Sequence, residues 1–375
     1  MKPIAASSRD KVRAGRSLTA WLERRSDRLF ILPAVLVILA FSIFPLLASA
    51  YMALARFQLA PGGYRIRFAG LRNFEKLFAG SEQFHFLGVF AAVPWYGWLP
   101  LAGSAFLLLR GLWRYGKAGA RLGGLLGRLI GAATMLAVVA LFAATVGPGG
   151  EFGSLTVTLL YVVVGVSCQF LIGLGLAVLC AQPIRARGFF RVVFFVPLMV
   201  TPVGVAYTFR MLADMTQGPL APLWRILGLG DLSWASQAWS ARAVVMVGDS
   251  WQWIPFIFIV MLAALEGQPR DQLEAAAMDG AGFWQSFRDI TWPEIAPVAA
   301  TVTLIRVIEA FKIIDLPNVM TNGGPGIATE SMTLHAFIAW RTLDLGGSAA
   351  VAYLLLIVVT FFCVAFVTFT RKVPR

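Results

Sequence analysis

One polar stretch lies between two apolar runs of membrane length and reads Glu274-Ala275-Ala276-Ala277-Met278-Asp279-Gly280-Ala281-Gly282. Asp271, Glu274 and the alanines favour a short helix, whose acidic residues lie at the positive end of the helix dipole. Gly280 and Gly282 end this helix, because glycine accepts the left-handed backbone that commonly follows a helix. A second short helix is predicted from Phe283 to Thr291, before Pro293 starts the next membrane segment. The stretch thus predicts a compact knob of two helices joined by a glycine turn.

The spacing of this stretch carries a family resemblance. Gly280 follows the glutamate of the Glu-Ala-Ala opening by six residues, Ile290 follows Gly280 by ten, and Pro293 follows by three more. In this pattern the sequence resembles the permease subunits of ABC importers, and specifically their sugar-importing branch. The resemblance implies an all-α integral membrane fold with a type I importer permease core. Trp292 departs from the leucine that the family commonly has. The alternative interpretation is an ordinary amphipathic interfacial loop.

The resemblance also implies a role for the loop. In the family it seats in a groove of the ATP-hydrolysing subunit and passes that subunit's motion to the membrane domain. The matching positions of this sequence are Glu274, Ala275, Ala276, Asp279, Gly280 and Ala281.

Composition independently indicates a multi-spanning membrane protein. The 375 residues are 58% hydrophobic and only 14% charged, with a mean hydropathy of +0.75, which is far more apolar than a soluble core requires. Windows of about 20 apolar residues predict eight spans, which places both termini on the same side. The predicted spans are Leu29–Ala50, Phe86–Leu109, Leu129–Val146, Leu155–Cys180, Phe190–Leu212, Ala243–Leu265, Ala296–Leu316 and Ser348–Thr370.

The distribution of basic residues indicates the orientation of these spans. They concentrate before the first span, between the second and third, between the fourth and fifth, and at the C-terminus. The positive-inside rule makes all four regions cytoplasmic and predicts a bacterial inner-membrane protein with both termini inside. The net charge of +13 therefore indicates topology and contact with anionic lipid, and no nucleic-acid partner. One outer segment opposes the rule, because it carries Arg56, Arg65, Arg67, Arg72 and Lys76.

Four regions follow from the spans. Residues 1–28 form a basic cytoplasmic segment, and residues 29–84 hold the first span and an outer interfacial helix, where Phe68 to Phe78 resembles the family. Residues 85–148 form an inserted transmembrane hairpin that shorter members lack; two added spans preserve the orientation of the rest. Residues 149–375 form the core permease domain, which includes the cytoplasmic coupling loop 267–295.

No cofactor is predicted on this chain. The run from Gly111 to Lys117 fits the spacing of a phosphate-binding loop, but Ala118 lacks the hydroxyl that binds magnesium, and the run follows a membrane helix. ATP and magnesium are therefore expected on a partner ATPase. Cys168, Cys180 and Cys363 lie far apart in apolar runs and indicate neither a disulfide framework nor a metal site.

Two features point to the solute. The loop that starts with Pro317-Asn318 and contains Thr321-Asn322-Gly323-Gly324-Pro325 favours a tight outer turn, and it resembles the periplasmic loop of carbohydrate permeases.

Arg306, Glu309 and Lys312 lie three residues apart in the seventh span, where charges are expensive. They either line the pathway or form a self-neutralising ladder that packs helices. Aromatic and hydrogen-bonding side chains suit a sugar, although tryptophans also form interfacial belts. The predicted pathway residues are Tyr207, Asp249, Trp251, Trp253, Glu309, Lys312 and Asn318.

Three classes of function are compatible with these observations. The favoured one is the transmembrane subunit of an ABC importer for a sugar or related polyhydroxylated solute. Its implied partners are a second homologous permease, an ATP-binding cassette ATPase dimer, an extracytoplasmic solute-binding protein and membrane lipid. An ion-coupled secondary transporter would need midplane carboxylates, for which Glu309 is the strong candidate. An integral-membrane enzyme lacks support, because His85 and His335 are the only histidines.

Overall fold

The computed structural model describes residues 30–117, 122–182, 187–228 and 234–370. The fold is mainly helical. The first helices are α1 (Phe30–Ala53), α2 (Arg72–Ala79), α3 (Gln83–Leu87), α4 (Trp95–Lys117), α5 (Leu122–Val146), α6 (Ser154–Ala181), α7 (Arg187–Met199) and α8 (Pro202–Ala213). The remaining helices are α9 (Ala221–Ile226), α10 (Ala238–Glu266), α11 (Arg270–Met278), α12 (residues 283–311), α13 (Asp315–Thr321), α14 (Met332–Arg341) and α15 (Leu345–Thr370).

Two short antiparallel strand pairs interrupt the helices, and the sequence did not predict them. Strands β1 (Ala55–Ala60) and β2 (Gly63–Phe68) form a hairpin directly after α1. Strands β3 (Gly88–Val89) and β4 (Glu151–Phe152) pair across the ends of the segment that contains α4 and α5. A helix, α2, is present where the outer interfacial helix is predicted, and it follows the hairpin.

Five helices of the described ranges are long and apolar enough to cross a membrane. They are α1, α6, α10, α15 and the Gly127–Val146 part of α5. The pair α7 and α8 gives a sixth candidate if the two helices form one bent span. Length and composition therefore support five or six crossings rather than the eight that the sequence predicts.

Proline explains why the predicted span Phe190–Leu212 is wrong as a single helix. The structure divides it into α7 and α8, which meet at an angle of 99°. Pro202 has no N–H to continue a helix, and it biases the preceding residue towards an extended backbone. Thr201 accordingly has ψ 146°, and its hydroxyl accepts the N–H of Gly204 at 3.3 Å as a cap for α8.

Two other predicted boundaries need correction. The second predicted span begins at Trp95 instead of Phe86, because Gly88, with φ 95°, ends α3 and the chain then pairs as β3. The seventh ends at Phe311 instead of Leu316. Pro317 lies in the first turn of the next helix, where its missing N–H breaks no intrahelical hydrogen bond. Residues 315–321 form the separate helix α13.

The core lies around α6 and α10. At one end of these helices, a cluster around Val157, Tyr161 and Val245 also contains Ala206 of α8 and Leu316 of α13. Towards the other end, a second cluster joins α6, α10 and α12. Helix α15 packs against α1, α2 and α14. Because α1 leaves most of its apolar side chains exposed, this helix has the character of a lipid-facing element.

Several predicted regions lie outside the described residues. They are the basic segment 1–28, the tips of the connections at 118–121 and 183–186, and the basic C-terminus from Arg371. The run that resembles a phosphate-binding loop is described up to Lys117, and this part of it forms the last turns of helix α4.

Candidate functional site

The Glu274 loop (residues 267–295) contains the predicted short helix, α11, and ends it as predicted. The N–H of Ala281 donates to the carbonyl of Ala276 at 2.9 Å, and the N–H of Gly280 donates to the carbonyl of Ala277 at 3.1 Å. This pair of bonds is the Schellman arrangement, which needs a left-handed residue after the helix. Gly280 supplies it with φ 76°. The predicted glycine turn is therefore confirmed.

The second helix of the loop differs from the prediction. Helix α12 begins at Phe283, after Gly282, and continues through a π-helical turn, Phe287–Thr291, into Trp292–Phe311 without a break. Pro293 does not end the helix because it lies at the start of an α-helical segment, where its lack of an N–H is tolerated with little cost. The second short helix and the predicted seventh span are thus one element.

The base of the loop is held by a buried side chain. Gln268 lies between α10 and α11, and its Nε2 donates to the carbonyl of Thr291 and to the carboxylate of Glu294, both at 3.4 Å. Ala276 is 9% exposed and faces the rest of the loop. Its small side chain permits this close packing.

The outer surface of the loop is mixed acidic and apolar. Glu274, Ala275 and Asp279 are exposed. Met278 and Trp284 are 88% and 78% exposed, and Phe283 lies beside Trp284 with ring centroids 5.4 Å apart. Exposed apolar side chains rimmed by charges are typical of a protein–protein contact surface. No described residue of this chain covers them.

A buried polar network joins α6, α10 and α12. Arg306 of α12 is 1% exposed, and its guanidinium pairs with the carboxylate of Asp249 on α10. Its Nε donates to Oε1 of Gln169 on α6 at 2.7 Å, and Nε2 of Gln169 donates to Asp249 at 2.8 Å. Trp253 lies 4.8 Å from the guanidinium, with its ring facing the cation. All three polar side chains are thereby satisfied within the network.

This network changes the interpretation of two predicted pathway residues. Asp249 is buried and engaged by Arg306 and Gln169, and Trp253 is half-buried against the same cation. The predicted ladder is wrong for Arg306, whose carboxylate partner lies on another helix. Sequence reasoning missed Gln169, although its place within an apolar run was an available signal.

Glu309 and Lys312 form a separate pair at the end of α12. Lys312 Nζ donates to Glu309 Oε1 at 2.6 Å, and both side chains are partly exposed. This part of the predicted ladder is confirmed. Lys312 lies just past the last α-helical residue.

The remaining predicted pathway residues are spread over three helices. Tyr207 on α8 is exposed, and Trp251 on α10 packs against Phe209 with ring centroids 5.7 Å apart. Asn318 lies on α13, which packs against α8. The three helices pack against one another, but the described contacts do not join these residues into one pocket.

Residues 317–321 of the predicted outer loop belong to helix α13. The rest, the Gly-Pro loop (residues 322–330), is tightly hydrogen-bonded, as its composition predicts. The N–H of Thr329 donates to the carbonyl of Gly323 at 3.0 Å, and the hydroxyls of Thr321 and Thr329 lie 2.6 Å apart. Arg242 of α10 donates from Nε to the carbonyl of Ala328 at 2.6 Å. A cavity of about 420 Å³ lies beside this loop, lined partly by Trp239 and Arg242.

Comparisons with known proteins agree with this architecture. Residues 137–372 match the family described as binding-protein-dependent transport system inner membrane component. The chain is 31% identical over 215 residues to the trehalose/maltose transport system permease protein MalF of Thermococcus litoralis, which covers 57% of this chain and 73% of the relative. It is 28% identical to the probable starch degradation products transport system permease protein AmyD of Thermoanaerobacterium thermosulfurigenes, over 54% of this chain and 68% of the relative.

A solved structure shares the fold. In a crystal structure of a bacterial ABC transporter involved in the import of the acidic polysaccharide alginate, one chain superposes with a TM-score of 0.61 at 15% identity. The superposition covers 96% of this chain and all of that one. Because the family match spans more than half of the sequence, this multi-pass membrane chain belongs to the binding-protein-dependent transport system inner membrane components.

Proposed function

We propose that this chain is the transmembrane permease subunit of an ABC importer that moves a sugar or related polyhydroxylated solute into the cytoplasm. The observation that carries the proposal is the Glu274 loop. It presents an exposed helix, a left-handed glycine turn and an exposed aromatic pair, and its second half continues without a break into α12. A helix anchored in the core can transmit a push applied at this surface.

The proposed solute class rests on the named relatives and on the polar and aromatic side chains of the predicted pathway. Relatives named for trehalose, maltose and starch degradation products match 57% and 54% of this chain. Tyr207, Trp251 and Asn318 offer aromatic faces and a hydrogen-bonding amide on α8, α10 and α13, three helices that pack against one another. Sugars present apolar C–H patches ringed by hydroxyls, for which such side chains are suited. Glu309 and Lys312 extend this set at the end of α12.

The transporter would need further subunits. The exposed apolar side chains of α8, among them Val203 and Met211, fit contact with a second homologous permease, which would complete the pathway. The exposed Glu274 loop fits a groove of an ATPase, whose dimer would bind ATP and magnesium; this chain would hydrolyse nothing. A solute-binding protein would deliver the sugar on the opposite side, and membrane lipid would cover α1.

The membrane arrangement belongs to the same proposal. Helices α4 and α12 would add two crossings to the six candidates and give eight. Helix α12 carries three charged residues after Thr291, but Arg306 is neutralised by Asp249, which lowers the cost of insertion. The Glu274 loop, both termini and the α4–α5 connection would lie in the cytoplasm. The Gly-Pro loop and the β1–β2 hairpin would lie outside, and residues 85–148 would form a hairpin peripheral to the 149–375 core.

A pair of glycine substitutions tests the coupling role. In Gly280→Ala the alanine backbone must adopt the left-handed φ of 76°, which costs about 1–2 kcal/mol. The turn should therefore reorganise. In Gly282→Ala the backbone has an ordinary φ of −73° and open space for a methyl group. In the assembled transporter, Gly280→Ala should lose the stimulation of ATPase activity by liganded binding protein, whereas Gly282→Ala should keep it. Equal stimulation in both variants, at equal membrane yield, would refute the coupling role of the turn.

The ion-coupled alternative has less support. It requires a carboxylate at the bilayer midplane that is free to bind an ion. Asp249 is engaged by Arg306, and Glu309 is paired with Lys312. Such a transporter would also have no use for an exposed Glu274 loop.

A further inference from the structure

A cluster of ionisable side chains lies beside the Gly-Pro loop, away from the Glu274 loop and the buried network. It brings together Glu82, which precedes α3, His85 within α3, and His335 of α14. Each offers one potential ligand atom, and these atoms all lie within 4.8 Å of one another. The two imidazoles are 5.7 Å apart between ring centroids and inclined by 69°. These are the only two histidines of the sequence, and the fold places them side by side across about two-thirds of the chain.

A fourth member, Glu330, has a buried carboxylate oxygen that makes no hydrogen bond. It lies at the end of the Gly-Pro loop with its side chain 4% exposed, and its Oε1 has no hydrogen-bond partner among the described residues. This oxygen is 3.4 Å from Nδ1 of His335 and 3.8 Å from Nδ1 of His85. A buried carboxylate oxygen without a hydrogen bond is costly unless a cation compensates it. The site therefore calls for a positive charge between the two imidazoles and the carboxylates.

The ring nitrogens leave room for a metal ion. Ser154 Oγ lies 3.0 Å from Nδ1 of His335, which leaves Nε2 of that ring available to a ligand. The His85 side chain is 40% exposed and provides access from solvent. In a tetrahedral zinc site with bonds of about 2.0–2.2 Å, neighbouring ligand atoms lie about 3.3–3.5 Å apart. Small side-chain rotations would bring atoms that are now within 4.8 Å to that separation.

We propose that Glu82, His85 and His335 bind a divalent transition-metal ion of the zinc class, with the Glu330 carboxylate supplying the compensating negative charge beside the imidazoles. Two imidazoles with a carboxylate favour zinc over magnesium, which prefers an all-oxygen octahedral set. The ion would clamp α3, which follows the outer interfacial helix α2, to the end of the Gly-Pro loop and to α14. This clamp is independent of the solute that the protein transports.

Zinc titration of the purified full chain in detergent, after treatment with a chelator, tests the proposal. At pH 7.5 the chain should bind one zinc ion in competition with a fluorescent chelator. A zinc concentration 100-fold above Kd should raise the melting temperature by about 3 °C. Magnesium at the same concentration should leave it unchanged. His85→Gln, on an accessible side chain, should weaken zinc binding by at least about 100-fold, whereas His85→Cys should retain it because a thiolate also binds zinc.

A second pair of variants distinguishes the loss of a metal ligand from a general effect of removing a carboxylate. Glu82→Gln should also weaken zinc binding, and Glu75→Gln, an exposed glutamate of the neighbouring α2 outside the cluster, should not. Absence of stoichiometric zinc binding by the parent chain would overturn the proposal. It would also be overturned by equal zinc affinity in His85→Gln and Glu75→Gln, or by a melting temperature that responds to pH but not to zinc, which would indicate a proton in place of the metal.

Discussion

Breaking the buried network should destabilise the protein far more than breaking the exposed pair at the end of the same helix. In Asp249→Asn, Arg306 keeps its charge at 1% exposure and loses its carboxylate partner. Removal of one partner of a buried ion pair costs about 3–5 kcal/mol. Glu309→Gln is the matched control, because Glu309 pairs with Lys312 at a partly exposed site, where such pairs contribute about 0.2–1 kcal/mol.

The measurement is reversible unfolding of the detergent-solubilised chain, with folded yield recorded alongside. A double variant, Asp249→Leu with Arg306→Met, removes both charges and should be less destabilised than the sum of the single variants, because neither partner is left buried and unpaired. The view that this ion pair holds α10 and α12 together would be refuted by a free energy of unfolding of Asp249→Asn within about 1 kcal/mol of the parent, or by additive effects in the double variant.

Three further predictions concern function, topology and pH. Glu309→Gln should leave yield and ATPase coupling intact but slow uptake or alter sugar preference; unchanged uptake of every transported sugar would remove Glu309 from the pathway. A cysteine at Gly119, between α4 and α5, should resist a membrane-impermeant thiol reagent in intact cells, whereas one at Gly323 should react; the opposite pattern would reverse the proposed orientation. Partial burial by itself would raise the pKa of the Asp344 carboxyl. Hydrogen bonds from Lys76 and from the N–H of Gly347, together with nearby cationic charge, have a larger combined effect and hold this pKa below its ordinary value. Stability from this carboxylate should therefore be present at neutral pH and be lost as pH falls through the lowered pKa; Lys76→Met should reduce that loss, and an identical acid melting profile would contradict the assignment.

Local sequence signals predicted local structure well. The helix that contains Glu274 and its stop at Gly280 follow from neighbouring residues alone, since the Schellman bonds span only a few positions. The outer helix α2 and the tight Gly-Pro loop are of the same kind. Pro202 was also a local signal, and it should have divided the predicted span Phe190–Leu212, because a proline at that position leaves the preceding residue extended.

Long-range partners could not be read from spacing. Arg306 reaches Asp249 across 57 residues and Gln169 across 137, whereas sequence spacing favoured Glu309, three residues away. Arg306 pairs with Asp249 inside the bundle, because a charge that is removed from water there is costly unless an opposite charge lies beside it. The cluster of His85 and His335 was missed for the same reason, because the fold, not the sequence, brings the two rings together. The β-strands were missed because they are short and flank glycine turns.

The unbroken helix α12 has a mechanical consequence. Its first residue in the core, Ile295, lies 12 residues after Phe283 and 16 residues before Phe311. At a rise of 1.5 Å per residue, about 18 Å of the helix projects from the core towards the Glu274 loop, and about 24 Å is embedded, with Ala299 and Val302 packed against α6 and α10. Under the proposed coupling role, a push on the projecting part would reach the embedded part through continuous helical hydrogen bonds. The contacts of α12 with α6 and α10 would then bear the load.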